Sequence, residues 1–409
     1  MAKTWYGSEY KIGVLGGGQL GRMLIQAANS LDIQLHMLDP DPQAPCAAIA
    51  HSFENGSLLD TQTVLNFGQD KDLITVEIEN VNTDALKTLV QKGVKVYPQP
   101  EVLELIRDKG LQKDFYKNNE IPTAPYIFWE PNNSSEIPFE FPVVHKLRTG
   151  GYDGKGVQII KDEAALKNSF QAPSIIEACI PFSKELSVIV ARNEQGQTKC
   201  FPLVECEFNP EANLVEFLFS PAAVSTEIEN KAQQIAIDII EKLDMIGLLA
   251  VEFFLTTENT LLVNEIAPRP HNSGHHTIKA NTTSQYEQHW RAILTAASGS
   301  NVSSNVAPTT ATVSVTSNWA FKQGLLGFWR FNPIEIFYQE LSNSVMGALL
   351  IQDVLNPNSA AKTLSIVKLT NPLCIFASNQ FHGGVFRAGF RFESMGVVSA
   401  AFVLAKRFP

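Results

Sequence analysis

Cysteine is too scarce and too scattered in this chain to organise a fold. Cys46, Cys179, Cys200, Cys206 and Cys374 are odd in number and form no C-x-x-C pair, which excludes a disulfide framework or zinc knuckle and leaves reduced thiols. Long apolar runs are missing as well. Stretches such as Met395 to Ala405 fall short of the roughly 18 to 20 residues that a membrane span needs. The opening MAKTWYGSEY lacks the apolar core of a signal peptide. The sequence therefore predicts a cytoplasmic protein with no membrane partner. Nor is there an excess of positive charge: 32 Lys and Arg stand against 42 Asp and Glu, a net of −10. Binding to a phosphate backbone depends on clustered cations, so nucleic acid is not an expected partner. What remains is a globular chain of 409 residues, long enough for about two to three domains.

Along the chain, Lys11 to Leu15 reads as a short apolar strand that runs into Gly16-Gly17-Gly18. Leu20, Met23, Leu24, Ala27, Ala28 and Leu31 then repeat at helical spacing. A second strand, Ile33 to Leu38, ends at Asp39-Pro40-Asp41-Pro42, and apolar runs at Leu73 to Ile78 and Val94 to Tyr97 alternate with helical stretches such as Thr83 to Lys92. This order predicts an α/β fold built on a parallel sheet with helices on both faces. The Pro- and Asn-rich stretch from Pro122 to Pro142 reads as a connection to a second domain, in which strands dominate. Those strands are Pro142 to Lys146, Ser174 to Glu177, Glu185 to Ala191 and Thr198 to Glu205. A helix from about Glu227 to Leu243 follows, then a hairpin of Leu249 to Leu255 and Leu261 to Ile266 turning at Thr257-Glu258-Asn259-Thr260.

Four signals could carry chemistry. Gly16, Gly18 and Gly21 fit G-x-G-x-x-G between strand and helix, where a phosphate can approach backbone amides. With Asp39 at the end of the next strand, the same glycines also suit an NAD-dependent enzyme, or simply a tight turn. The segment from Lys146 to Gly156 carries four glycines and three cations, a composition that can fold over a polyphosphate or form an exposed hairpin turn. A four-residue turn in the later hairpin would set Glu252 opposite Glu265, and like charges across a strand pair repel unless a cation sits between them. An all-oxygen site beside phosphate favours Mg²⁺, with Mn²⁺ as an alternative occupant. Finally, Ala267 to His276 is a dense polar run straight after a strand; its three histidines lack the helical spacing that usually accompanies zinc.

The strings GGGQLGRM (Gly16 to Met23), RTGGYDGKG (Arg148 to Gly156), PFSKELSVIVAR (Pro181 to Arg192) and NEIAPRPHNSGHHT (Asn264 to Thr277) together resemble the 5-(carboxyamino)imidazole ribonucleotide synthases, ATP-grasp enzymes of purine biosynthesis. The resemblance runs from about Lys11 to Leu294. It implies an ATP-grasp fold with an N-terminal, Rossmann-like pre-ATP-grasp domain (residues 1–120), an ATP-grasp domain (121–300, with a lid subdomain at about 122–190) and a small C-terminal domain (301–409), in a homodimer. The implied reaction is the ATP- and bicarbonate-dependent carboxylation of the exocyclic amine of aminoimidazole ribonucleotide. By motif position it implies that Lys146 and the loop of Gly151, Tyr152, Asp153, Gly154, Lys155 and Gly156 hold the ATP phosphates, with Lys109 a further ATP contact. Glu177, Ala178, Cys179 and Ile180 would line the adenine and hinge pocket, Glu185 would take the ribose, and Glu252 and Glu265, with Asn264, would hold the metal. Tyr152, Asp153, Arg269 and His271 would meet the imidazole substrate, and Gly18, Gln19 and Leu20 its ribose phosphate. The rival readings are a formate-using ATP-grasp ligase of the glycinamide ribonucleotide type, an NAD-dependent dehydrogenase, and a non-catalytic nucleotide-binding protein.

One part of the pattern is absent. Synthases of this kind usually end in a basic string close to R-P-G-R-K-M-G-H that clamps the substrate phosphate, and residues 307–409 contain no Lys-Met-Gly-His. That segment also reverses the charge balance, with eight Lys and Arg against four Asp and Glu, and holds eleven of the 25 Phe. It reads as a divergent or frame-altered terminus, or as a lineage-specific domain.

Overall fold

Strands that are apolar on both faces need a cover on each, and the first region supplies two. The computed structural model describes residues 5–130, 136–150, 156–209, 214–294, 316–317, 376–382, 385–391 and 400–405. Strands β1 (Gly7–Leu15), β2 (Ile33–Asp39), β3 (Ser52–Asn55), β4 (Leu73–Val76) and β5 (Lys95–Val96) form a wholly parallel sheet in the order β3-β2-β1-β4-β5. Helix α1 (Gln19–Asn29) covers one face, where Met23 and Leu24 meet Ile12, Val14 and Met37. Helices α2 (Thr61–Gly68) and α3 (Thr83–Gln91) cover the other, where Phe67, Leu86 and Leu89 meet Leu15, Leu38, Ile74 and Val76. Alternate residues of β1 thus go to opposite cores, the mark of a buried parallel strand. Asp60 and Asn82 cap α2 and α3 by accepting from Thr63 N and Ala85 N.

Two further helices lead out of this sheet, α4 (Pro100–Arg107) and α5 (Lys109–Asn118). A four-stranded sheet follows, β6 (Tyr126–Trp129), β7 (Val143–Leu147), β8 (Val157–Ile160) and β9 (Ser174–Ala178), in the order β6-β9-β7-β8. The expected connection from Pro122 to Pro142 is therefore not all connection. Tyr126-Ile127-Phe128-Trp129 is aromatic and β-branched enough to add an edge strand against β9.

The large sheet comprises β10 (Phe182–Arg192), β11 (Thr198–Cys200), β12 (Val204–Asn209) and β13 (Leu214–Phe219), helix α6 (Thr226–Lys242), then β14 (Gly247–Thr256) and β15 (Leu261–Ala267). Helices α7 (Thr277–Ala280) and α8 (Gln285–Leu294) and the short β16 (Thr316–Ser317) complete this unit. The strand expected from Thr198 to Glu205 is broken in two around Pro202, which can donate no ladder hydrogen bond. Helix α6, capped by Ser225, lays Ile228, Ile235, Ile239 and Ile240 against Leu186, Val188, Val190, Val251 and Phe253. Helix α8 covers part of the opposite face through Ala292 and also reaches helix α1, where Trp290 Nε1 donates to Leu24 O at 3.0 Å.

By internal packing the chain divides into Met1–Leu325 and Leu326–Pro409. Within the second unit β17 (Phe376–His382), β18 (Val385–Arg391) and β19 (Ala400–Ala405) form an antiparallel meander. Most of the segment expected to carry a phosphate clamp lies outside the described residues. Among the described residues no helix is long and apolar enough to cross a membrane.

Candidate active site

The face of the large sheet turned away from α6 carries a row of polar side chains. Leu186 and Val188 join the α6 core, so Glu185 and Ser187 between and beside them project to the other face; Val251 and Phe253 place Glu252 there in the same way. Ser187 pairs with Glu252, and Glu252 pairs with Glu265. The hairpin reaches that last pairing by a different route from the expected one. Leu255 pairs with Leu261, one residue out of the predicted register, and an extra residue at Asn264 restores it. This bulge has a functional consequence. Val263 and Ile266, three apart, both face the α6 core, so Asn264 and Glu265 between them both face the site, which regular alternation forbids.

Three lysines meet these groups. Lys109 and Lys113, one helical turn apart on α5, share a face of that helix. Lys109 pairs with Glu265, and Lys146 Nζ lies 2.9 Å from both Asn264 Oδ1 and Glu177 Oε2. Lys113 Nζ sits 2.9 Å from the second oxygen, Glu177 Oε1, and donates to Thr123 Oγ1 at 2.6 Å. Glu177, expected to line the hinge, instead buries its carboxylate between two lysines, leaving half-buried Ala178 and Ile180 and exposed Cys179 at that edge. Arg148, one of the three cations expected around a phosphate, makes a two-pronged pair with Asp108 at 2.9 and 2.7 Å. Since Asp108 also caps α5, Arg148 ties the base of the glycine-rich segment to the helix that bears Lys109. Gly156 closes that base with φ +80° and accepts from Leu147 N; Gly151, Tyr152, Asp153, Gly154 and Lys155 lie outside the described residues.

Beyond β15 the chain carries Arg269 and His271. Arg269 Nε lies 2.8 Å from Glu79 Oε1, in the segment that follows β4. His271 is held by its backbone, its N–H donating to Gln285 Oε1 and its carbonyl accepting from Gln285 Nε2. Its Nε2 is 3.7 Å from Glu252 Oε1, and Nδ1 is 2.9 Å from Ser273 Oγ. Burial, reinforced by Arg269, pushes the ring down to about 3, so it is neutral at physiological pH. The glycine turn presents more than bare amides: Gly17 N donates to Asp39 Oδ2 at 2.6 Å and Gly21 N to Glu77 Oε1 at 3.3 Å. Gly18 sits close under the Glu77 carboxylate, where a Cβ would lie 2.7 Å from Oε1. Gln19 is exposed and Leu20 half-buried. Asp39, the acid that a dinucleotide ribose would need, is occupied with Gly17 N and Asp41 N.

The carboxylates are unequally charged. Lys109 holds Glu265 well below the ordinary range, whereas burial, followed by Glu265 and Glu185, drives Glu252 well above it. A divalent cation would reverse that shift. Among the described residues no three His, Cys, Asp or Glu side chains converge in metal-binding geometry, so the wall offers two carboxylates and an amide oxygen. That set fits a hard cation completing its shell with phosphate oxygens and water.

Burial raises Glu185 to about 7. A carboxyl raised in the folded state stabilises fully below its unfolded value, and that contribution is lost as pH rises through the folded one. Glu185→Gln should therefore gain thermal stability over wild type as pH rises from about 4.5 to about 7. Unfolding curves across that range check it, and a pH-independent difference would remove the burial argument.

Comparison with known proteins decides the family. Residues 10–107 match the ribonucleotide synthetase preATP-grasp domain, and residues 114–286 match the ATP-grasp domain. The N5-carboxyaminoimidazole ribonucleotide synthase of Bacillus subtilis is 36% identical over 291 residues, covering 69% of this chain and 75% of that one. The chain belongs to the N5-carboxyaminoimidazole ribonucleotide synthase family. A solved synthetase of this family from Thermotoga maritima superposes with a TM-score of 0.64 at 39% identity, over 69% of this chain and 75% of that one. The Aspergillus clavatus synthase, solved with ADP and 5-aminoimidazole ribonucleotide, gives 0.64 at 30%, over 73% and 78%. The phosphoribosylaminoimidazole carboxylase of Ogataea methanolica is 42% identical over 294 residues, 69% of this chain but 54% of that one. The chain thus spans about half the length of the fungal carboxylases it matches. Neither domain match reaches residues 287–409.

Lys109, Lys146, Asn264, Glu252 and Glu265 are thus brought to one wall, and Arg269 and His271 to its edge. Sequence reasoning missed Lys113, Glu77 and Glu79. The four-residue spacing from Lys109 could have found the first. The charged residues alternating in Val76-Glu77-Ile78-Glu79 could have found the others, since the carboxyl ends of parallel strands are where such folds bind ligands.

Proposed function

We propose that the chain carboxylates the exocyclic amine of 5-aminoimidazole ribonucleotide with ATP and bicarbonate, as one step of purine biosynthesis. The observation that carries this reading is the convergence of Lys109, Lys146, Asn264, Glu252 and Glu265 on one sheet wall, with Arg269 and His271 leading from it toward the glycine turn. The names of the relatives, and the Aspergillus complex with ADP and 5-aminoimidazole ribonucleotide, support the same substrates. Cytoplasmic location and a homodimer belong to the same reading.

Bicarbonate is a poor electrophile and must be activated. Attack of its oxygen on the γ-phosphoryl group displaces ADP and gives carboxyphosphate, with Lys146 and Lys109 offsetting charge as it passes, and transfer of the carboxyl group to the amine then releases inorganic phosphate and a proton. Glu252, Glu265 and Asn264 would hold Mg²⁺ or Mn²⁺, which when bound neutralises charge on the phosphates. The segment Gly151 to Gly156 would exclude water from a reactive intermediate. Ala178, Cys179 and Ile180 would face the adenine, and Glu185 its ribose. Arg269, with Tyr152, Asp153 and His271, would place the one-carbon unit beside the amine, and Gly18, Gln19 and Leu20 would approach the ribose phosphate.

ADP release should require bicarbonate and ribonucleotide together, and turnover independent of bicarbonate would exclude the proposal. In the absence of a Lys-Met-Gly-His string, a lost charge-assisted contact of about 1.5 to 3 kcal/mol should weaken ribonucleotide affinity tenfold or more. Saturation at low micromolar ribonucleotide would show that no clamp is missing.

A further inference from the structure

Glu177 is a buried carboxylate with two buried partners, and the nucleotide reading uses only one of them. Lys146, 7% exposed, is the cation that would face a phosphate; Lys113, 2% exposed, is sealed behind it. Each takes one oxygen of Glu177 at 2.9 Å. Lys113 has a second contact: its ammonium donates to Thr123 Oγ1, whose hydroxyl donates to Val263 O at 2.7 Å. Val263 immediately precedes the bulged Asn264, to which Lys146 also donates. Lys113 is therefore linked to Lys146 along two paths, through a carboxylate and through the strand that carries Asn264.

Charge makes the arrangement informative. One carboxylate shared by two ammonium groups leaves a net positive charge, whereas Glu177 alone with Lys146 would be a neutral pair with no surplus for a phosphate. Burying an additional lysine is costly, and a well-packed apolar side chain would serve stability as well.

We infer that Lys113 is a positioning residue for the nucleotide site: by engaging one oxygen of Glu177 it keeps the Lys146 ammonium placed and in charge surplus for a phosphate. This rests on the nucleotide reading of Lys146. Lys113 does not touch the nucleotide in this scheme; its charge acts through Glu177, while Thr123 holds Val263 O by its own hydroxyl.

Calorimetric titration of the full chain with Mg-ATP tests it without the carboxylation assay. Lys113→Met should weaken Mg-ATP binding about tenfold or more, the scale of a lost charge-assisted contact. Lys113→Met combined with Glu177→Gln should recover to within about threefold of wild type, because the carboxylate that needed offsetting is gone. A role limited to packing or folding would not be rescued by a second substitution in the same buried cluster. Should Lys113→Met fail to fold, Lys113→Gln, which keeps a donor for Thr123 but not the charge, is read in the same way. Undiminished Mg-ATP binding by the single variant, or a loss that Glu177→Gln does not restore, overturns the inference while leaving the nucleotide site standing. A wild-type chain that binds no Mg-ATP overturns the nucleotide reading and this inference with it.

Discussion

Glu265→Gln is expected to lower ATP turnover about a thousandfold or more, since it removes the member of the Glu252–Glu265 pair that is held ionised. Lys109 is what holds it so, and the same substitution leaves that ammonium without its partner. A stability loss of about 1 to 3 kcal/mol should accompany the loss of turnover. The neighbouring Glu252→Gln should behave differently. Burial already drives Glu252 toward its neutral form, and an amide resembles that form. Its raised value stabilises below the unfolded carboxyl range and ceases to do so as pH rises, so Glu252→Gln should equal or exceed wild-type stability at neutral pH. Turnover should nevertheless fall, because a neutral side chain cannot offer a cation its charge. Unfolding and ADP-release measurements on the two variants check the contrast. Near-normal turnover of Glu265→Gln would remove it from the metal site, and equal destabilisation by both would contradict the unequal charging.

The pairing of Glu252 with Glu265 was legible because strand periodicity and a short turn constrain which residues can lie opposite. The bulge at Asn264 was not, because one extra residue costs little locally and shows itself only in which neighbours reach the core. For the same reason the string Asn264-Glu265 could be recognised as a motif without its geometry being derivable. The pairing of Arg148 was hidden for a different cause: its charge suggested phosphate, while its carboxylate partner Asp108 lies forty residues upstream on the cap of a helix. The neighbours of Glu177 in sequence suggested a hinge and gave no sign that its carboxylate pairs with lysines from α5 and β7. Parallel-sheet order was readable in the first region, since its central strands carry short buried runs, Ile12 to Leu15 and Leu73 to Val76, and the turns carry Gly, Pro or Asp. Tertiary charge pairing, which decides what a buried lysine does, leaves no local trace beyond the spacing of Lys109 and Lys113.

Arg269→Ala is expected to separate ATP use from carboxylation. Its guanidinium pairs with Glu79 and influences Glu252 on one side and Glu77, beside the glycine turn, on the other. Among the described residues it is thus a cation common to the nucleotide wall and the turn proposed for the ribonucleotide. A cation so placed can hold an anionic one-carbon intermediate while the amine approaches, and positioning of that kind supplies much of the rate. Lys109, Lys146 and the carboxylate pair are untouched by the substitution, so affinity for Mg-ATP should stay within about threefold. Incorporation of labelled bicarbonate should fall a hundredfold or more, about 3 kcal/mol of transition-state stabilisation. ADP release should persist uncoupled from product, as the intermediate hydrolyses before transfer. Parallel assays of ADP and of labelled product give the ratio directly. Product formation at the wild-type rate would remove Arg269 from the site. A matching collapse of Mg-ATP affinity would place it with the phosphates instead, and the division between an ATP half and a carboxylation half would then be wrong.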